Sequence, residues 1–197
     1  MKGSPFFTLS YTKVEGKKAT KAAVFVKPAE DAAYFQDKII PITEIKEGDA
    51  VWIFGRPVEH EVADKTGNRG VDYQLQNVTA IVTGAGIRVN SDYKDPRDPK
   101  ALWSKAEVAK AGPSIQATVD GAEYKVIMGK QAPVLLREKV DAKPIKSGAT
   151  VEVSCDRSED RPETKTAADA KKESYVAKRI VILDRRLIHT LYPLLLE

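Results

Sequence analysis

A turn followed by a strand is encoded by the stretch Ile45-Lys-Glu-Gly-Asp-Ala-Val-Trp-Ile53. A similar stretch in the second half reads Ile145-Lys-Ser-Gly-Ala-Thr-Val-Glu-Val153, with Ile, Lys, Gly and Val at identical spacing. Each glycine suits a turn that needs positive φ, and the residues after it are strand formers. The two copies indicate an internal duplication, and chance similarity between two short strands is the alternative.

The strand in the first copy has apolar residues on both faces. Because side chains alternate along a strand, Val51 and Ile53 point to one face while Trp52 and Phe54 point to the other. Such a strand is typical of a central position in a barrel or sandwich. Further candidate strands lie on either side of it in the sequence. We therefore expect a mainly β protein built on a small Greek-key, OB-like barrel, present once or as two tandem copies.

Short helices are expected in two of the connections. Residues 28–38 begin with a proline and acidic residues, which favour the first turn of a helix. Asp98 and Pro99 offer an N-cap and a first helical residue for a segment that ends near Gly112. The predicted division of the chain is an OB-like barrel at 1–89, a linker and helix at 90–112, a second barrel at 113–184 and an apolar tail at 185–197.

The composition is that of an ordinary globular protein. Hydrophobic residues make up 42% and charged residues 30% of the 197 residues, which argues against wholesale disorder. No apolar run reaches the roughly 20 residues of a membrane-spanning helix, and no signal peptide is recognised at the N-terminus. The formal net charge of +4 is weak support for an anionic partner. A single cysteine fits a reducing compartment, so the expected location is the cytoplasm.

Residues for catalysis or metal binding are sparse. Cys155 is the one cysteine, and neither His60 nor His189 has a second histidine at ligand spacing. The pair Gly84-Ala-Gly86 lacks the third glycine of a dinucleotide fingerprint. We therefore expect no catalytic residue, no metal site and no cofactor, although an enzyme with an unrecognised site remains an alternative.

Basic and aromatic residues alternate in the first two candidate strands and recur in the central one. Proteins that bind single-stranded nucleic acid stack bases on aromatic rings and place cations along the phosphates. The alternatives are that Trp52 and Phe54 fill a core and that the lysines form a solvated surface. Tyr11 lies among the lysines, and the candidate binding residues are Trp52, Phe54, Arg56, Tyr73, Lys13, Lys17, Lys18, Lys21, Phe25 and Lys27.

Two segments, residues 41–55 and 70–82, resemble the OB-fold single-stranded DNA-binding proteins, especially those of bacteriophages. In these proteins a glycine-led turn precedes a strand, and a later strand places hydrophobic residues around a Leu-Gln core. The second copy of the repeat has Glu152 and Ser154 in place of the two aromatic residues of the first, so its half is poorer for stacking. The resemblance implies that bases stack on Trp52, Phe54 and Tyr73.

These features predict a non-enzymatic protein that binds single-stranded DNA with little dependence on base sequence, in DNA replication. RNA is an alternative ligand. The alternative function is a structural or protein-interaction subunit of a larger assembly, because the C-terminal tail is unusually apolar for a terminus. In that case the tail contacts a second copy, as in a homodimer, or another protein through Leu187, Ile188, Leu191, Tyr192 and Leu194.

Overall fold

Nearly all regular structure in the described residues is β. The structure is a computed structural model, and it describes residues 6–15, 18–63, 65–141, 145–160, 162, 169, 172–187 and 195. Short 3-10 helices cover Ile42–Glu44 and Arg185–Leu187. The strands are β1 (Phe7–Glu15), β2 (Lys18–Ile40), β3 (Ala50–Ala63), β4 (Arg69–Gly84), β5 (Leu102–Lys110), β6 (Ile115–Val119), β7 (Ala122–Met128), β8 (Val134–Val140), β9 (Val151–Ser158) and β10 (Ser174–Ile182).

The chain folds into two compact units, and each unit draws on both halves of the sequence. Unit 1 contains Met1–Phe35 and Val140–Ile182, and unit 2 contains Gln36–Lys139 and Leu183–Glu197. The hairpin β3–β4 therefore belongs with the later strands β5 to β7, whereas β9 and β10 belong with the first two strands. This arrangement differs from the predicted division at 1–89, 90–112, 113–184 and 185–197.

Five strands of unit 2 close into a barrel. β3 pairs antiparallel with both β4 and β5, and β6 lies antiparallel between β5 and β7. The ring closes where β7 runs parallel to β4. The prediction of a mainly β fold with a small OB-like barrel is confirmed. The barrel interior is filled by buried apolar side chains, among them Ile45, Val51, Ile53, Leu75, Val78, Ile81, Ala106, Val108, Ile115, Ala117 and Val126.

The helix predicted within 90–112 is wrong, because this segment supplies the barrel strand β5. Asp98 does form a turn, since its carbonyl accepts a hydrogen bond of 2.9 Å from the Ala101 amide, but the turn leads into a strand. In β5 every second residue, Ser104, Ala106 and Val108, is buried, which is the period of a strand. Pairing with β3 and β6 overrides the local helix signal.

The helix predicted at residues 28–38 is also wrong, because these residues continue the long strand β2. Pro28 is compatible with a strand only where its missing N–H is not needed by a neighbour. Tyr34, Phe35 and Asp37 are buried in this part of β2. The segment is instead part of a strand with neighbours on both sides.

Unit 1 contains the strand order β1-β2-β10-β9. β1 and β2 form an antiparallel hairpin, and so do β9 and β10. The core of this unit consists of Val24, Val26, Tyr34, Ala177 and Ile180. Among the residues that the structure describes, no ladder joins β1 to β9, so the strands of this unit form an open sheet.

The repeated stretches adopt the same local structure. Gly48 and Gly148 have φ values of 84° and 78°, in the left-handed region that favours glycine. In each turn the residue after the glycine donates its N–H to the carbonyl of Lys46 or Lys146, at 3.1 and 3.0 Å. The turns lead into β3 and β9. In both strands the ladder to the neighbouring strand becomes irregular directly after equivalent residues, Phe54 in β3 and Ser154 in β9. The structure thus supports the internal duplication.

A buried ion pair lies in unit 2, on β2 and β8. Arg137 donates from Nε and Nη2 to the two carboxylate oxygens of Asp37 at 2.6 and 2.8 Å, and the side chains are 2% and 0% exposed. The following residues, Lys38 and Glu138, form a second ion pair at the surface. β4 passes close to this site, because a Cβ on Gly84 would lie 2.1 Å from the Arg137 carbonyl oxygen.

The C-terminal segment contributes to unit 2. Leu187 and Leu195 are 4% and 5% exposed, so this chain itself buries both side chains. The other tail residues predicted to contact a partner, Ile188, Leu191, Tyr192 and Leu194, lie outside the described residues.

Candidate nucleic-acid interface

The predicted binding residues fall into two groups, one in each unit. Those of β3 and β4 lie in unit 2, and those of the first hairpin lie in unit 1. Lys17 lies outside the described residues. The unit 2 group consists of Trp52, Phe54, Arg56 and Tyr73, and the unit 1 group consists of Lys13, Lys18, Lys21, Phe25 and Lys27.

Phe54 is not available to a ligand, because its side chain is completely buried. Its ring contacts Trp103 at a centroid distance of 5.2 Å and Tyr93 at 5.7 Å. Trp52 and Arg56 are half-buried. The face of β3 that carries these residues is therefore largely a second core outside the barrel, which is the alternative that the sequence left open.

Tyr73 is half-buried on the barrel side of β4, where it packs against Tyr124 with ring centroids 5.2 Å apart. Glu59 is its partner across the ladder to β3. Burial, and then the Glu59 carboxylate, raise the pKa of the Tyr124 phenol. An acid beside this aromatic pair opposes the approach of a phosphate, so Tyr73 is poorly placed to stack a base.

The hairpin that contains β3 and β4 has an acidic balance. Residues 56–76, which we call the barrel hairpin, contain three basic residues against four acidic ones, giving a net charge of −1. Asp72 is bound by a neighbour, since Lys125 Nζ donates to it at 2.8 Å. That hydrogen bond, followed by one from Gln74, lowers the pKa of the Asp72 carboxyl. The barrel hairpin offers little attraction to an anion.

The hairpin formed by β1 and β2 has the opposite charge. Residues 10–27, which we call the basic hairpin, contain five lysines and one glutamate, giving a net charge of +4. This value equals the net charge of the whole chain, so the remaining 27 basic and 27 acidic residues balance. The excess positive charge of the protein is therefore concentrated in 18 consecutive residues.

The register of the basic hairpin divides its side chains between two faces. Tyr11 pairs with Ala22 and Lys13 with Thr20, and paired residues share a face. This face also contains the buried Val24, so it continues the core-facing side of β2 outward to solvent. Three predicted residues, Lys21, Phe25 and Lys27, occupy the opposite face, whereas Lys18 lies on the same face as Tyr11.

Exposure increases toward the outer end of the basic hairpin. Tyr11 is 41% exposed, and Lys13, Lys18 and Lys21 are exposed. Near the base of the hairpin, Lys27 Nζ lies 3.3 Å from an Asp160 oxygen. The outer end thus combines an exposed aromatic ring with exposed lysine side chains, and Tyr11 is the ring among these lysines.

The base of the hairpin is engaged by the rest of unit 1. Lys172 Nζ lies over the Phe25 ring, 5.1 Å from its centroid, and Lys27 Nζ lies 5.9 Å from the centre of the Phe6 ring. The half-buried Phe25 ring thus already has a cationic neighbour on it. We therefore place the candidate interface at residues 11–21 and not at Phe25 or Lys27.

The described part of the chain contains no group of three or more His, Cys, Asp or Glu residues that could hold a metal ion. Cys155 is exposed on β9, but its sulfur is partly shielded from water, and this desolvation, followed by the Asp156 carboxylate, raises the pKa of the thiol. None of the described helices is long and apolar enough to cross a membrane. Comparison with known protein families, curated proteins and solved structures finds no match to this chain.

Proposed function

We propose that the protein binds single-stranded nucleic acid, without catalysis and with little dependence on base sequence, through residues 11–21 of the basic hairpin. The observation that carries the proposal is the concentration of the whole net charge of +4 in this hairpin, around an exposed tyrosine. Ammonium groups follow the phosphates, and the Tyr11 ring stacks a base. DNA is the expected ligand, and RNA is tested beside it.

The position of the basic hairpin in the fold agrees with this function. In an OB-fold, nucleic acid lies across the second and third strands of the barrel. The order of neighbouring strands in the ring of unit 2 is that of an OB-fold if β3 is taken as the fourth strand and β4 as the fifth. β5, β6 and β7 are then the first, second and third strands. β1 and β2 are their counterparts in unit 1, because β6-β7-β4-β3 and β1-β2-β10-β9 are connected alike.

Binding of this kind depends strongly on salt. Each phosphate neutralised on a single strand contributes a slope of about −0.7 to the plot of log K against log salt concentration. Three or four lysine contacts therefore give a slope of roughly −2 to −3. A slope near zero would mean that ionic contacts do not hold the ligand.

The test is a fluorescence anisotropy titration of a labelled thymidine oligonucleotide at two salt concentrations. The variant Lys13→Gln/Lys18→Gln/Lys21→Gln is compared with a control, Lys65→Gln/Lys105→Gln/Lys130→Gln, which removes three exposed charges from unit 2. We expect the first variant to lose about 30- to 100-fold in affinity and about 2 from the slope, and the control to lose little.

The outcomes are distinguishable. No binding by the folded wild type at low salt, or equal losses in the two triple variants, contradicts the proposal. Oligouridine in place of oligothymidine tests RNA as a ligand. Tighter binding of a duplex of the same length would assign the hairpin to double-stranded DNA, and the single-strand proposal would then be wrong.

A further inference from the structure

The two units share a strand arrangement, but one strand has a counterpart in only one of them. An offset of 100 residues, the spacing of Gly48 and Gly148, also relates Val24 and Val26 of β2 to Tyr124 and Val126 of β7. In both hairpins these positions face apolar partners, Leu9 and Phe7 in unit 1 and Ala117 and Ile115 in unit 2. β1, β2, β9 and β10 thus correspond to β6, β7, β3 and β4.

β5 is the strand of unit 2 that lacks a counterpart among the described strands of unit 1. It pairs antiparallel with β3 on one edge and with β6 on the other, and so closes the ring. Ala106 and Val108 of β5 are 6% and 1% exposed inside the barrel. By this correspondence, the equivalent position in unit 1 adjoins the outer edges of β9 and β1, with which no described strand pairs.

The apolar side chains beside this position are less buried than their counterparts in unit 2. In unit 2, Val51 and Ile53 of β3 are 2% and 0% exposed, and Ile115 and Ala117 of β6 are 2% and 0% exposed. Their counterparts in unit 1 are only partly buried, although they are apolar and pack against the core of that unit: Val151 and Val153 on β9, and Phe7 and Leu9 on β1.

We propose that unit 1 accepts an extended segment of a partner protein as an added strand between β9 and β1, in the place that β5 takes in unit 2. Backbone hydrogen bonds to two open edges supply the affinity, and side-chain alternation supplies the specificity. The segment runs antiparallel to β9 and to β1. It places small or branched apolar side chains inward, toward Val151, Val153 and Leu9, and polar side chains outward.

A peptide is the fitting occupant of this position. An open strand edge displays unpaired N–H and C=O groups, which another strand satisfies and a nucleic-acid chain does not. The inward side chains on both edges are apolar, so they offer no favourable contact to the charged phosphates of a nucleic acid. β5 itself, Leu-Trp-Ser-Lys-Ala-Glu-Val-Ala-Lys at Leu102–Lys110, shows the sequence type that the corresponding position holds.

The test mixes the full chain with a labelled synthetic peptide of the β5 sequence. Fluorescence anisotropy measures binding, and amide hydrogen exchange locates the bound peptide. We expect saturable binding and slower exchange of backbone amides in Val151–Ser158 of β9. Two control peptides keep the composition close to the original: one carries Asp at the positions of Ala106 and Val108, and one carries N-methyl groups on alternate amides. Each should bind at least about 10-fold more weakly, because it loses inward packing or edge hydrogen bonds.

Several outcomes would overturn the proposal. A dissociation constant above about 1 mM for the β5 peptide, or equal binding of the three peptides, shows that the edges do not accept a strand. Protection of β3 amides without protection of β9 shows exchange with the native β5 instead. If sedimentation shows self-association that the peptide reverses, a second copy of the chain occupies the position, and the separate partner is wrong. Oligonucleotide binding is measured on the same preparation, and its failure leaves this result unaffected.

Discussion

The basic hairpin and the barrel hairpin have a similar shape but differ in charge and in exposure. Each is a long two-stranded ribbon, but the first has a net charge of +4 and the second −1. The tyrosine of the first, Tyr11, is 41% exposed, whereas Tyr73 of the second packs against Tyr124. At Tyr73, β4 is paired with β3 on one edge and with β7 on the other. An aromatic residue in a strand therefore indicates a binding surface only when the strand's neighbours leave its face open.

The largest effect that separates the two hairpins is expected from Phe54→Ala. Removing a fully buried phenylalanine costs about 3–5 kcal/mol of unfolding free energy, through lost burial and a cavity beside Trp103. Urea unfolding monitored by tryptophan fluorescence measures this loss. The half-buried neighbour provides the control, and Trp52→Ala should cost clearly less. A loss below about 1 kcal/mol for Phe54→Ala would place its ring outside a packed core.

Tyr11→Ala should have the reverse profile. Loss of one stacked base costs about 1–3 kcal/mol of binding free energy, or roughly 5- to 150-fold in affinity. The stability should change little, because the ring is largely exposed. Anisotropy with the labelled oligonucleotide gives the affinity, and Tyr11→Phe is the matched variant that keeps the ring. Unchanged binding by Tyr11→Ala would leave the lysines as the sole ligand contacts.

The smallest effect concerns pH and the barrel hairpin. Lys125, followed by Gln74, lowers the pKa of Asp72 below its ordinary value of 3.8. This ion pair therefore contributes stability that is present above pH 3.8 and is lost as the pH falls through the pKa of the folded state. In Lys125→Met the pKa of Asp72 should rise toward 3.8, as a carboxyl NMR titration would show. Lys130→Met, an exposed neighbour, should leave it unchanged.

The fold could be predicted where local chemistry decides it. Gly48 and Gly148 identified two turns, and both have the positive φ that their residue type favours. The two helix predictions were wrong because capping residues and prolines report only local preference. Residues 28–38 and β5 instead pair with strands that are distant in sequence. The grouping of β3 and β4 with later strands, and of β9 and β10 with the first two strands, is likewise a long-range property that no local motif encodes.

The candidate site could be predicted in part. The lysines of the first hairpin are recognisable by type and spacing, and the structure leaves three of them exposed. The sequence left the burial of Phe54 open as one of two alternatives, and contacts with Tyr93 and Trp103 from other segments decide it. The net charge of the whole chain did not reveal the basic hairpin, since +4 is small for 197 residues but large for 18. A charge count in a short window would have favoured Tyr11 over Trp52.

The ion pairs on β2 and β8 join residues that are 100 positions apart, which is the offset of the repeat. Asp37 thus pairs with Arg137, which occupies its position in the second copy, and Lys38 likewise pairs with its own counterpart, Glu138. If two first copies met, Asp37 would face another Asp37 in a buried site, which is strongly unfavourable. The charge exchange makes each copy complementary to the other and incompatible with itself. The chain therefore has the pairing rule of a heterodimer within one polypeptide, because a contact between two first copies or between two second copies would bring like charges together.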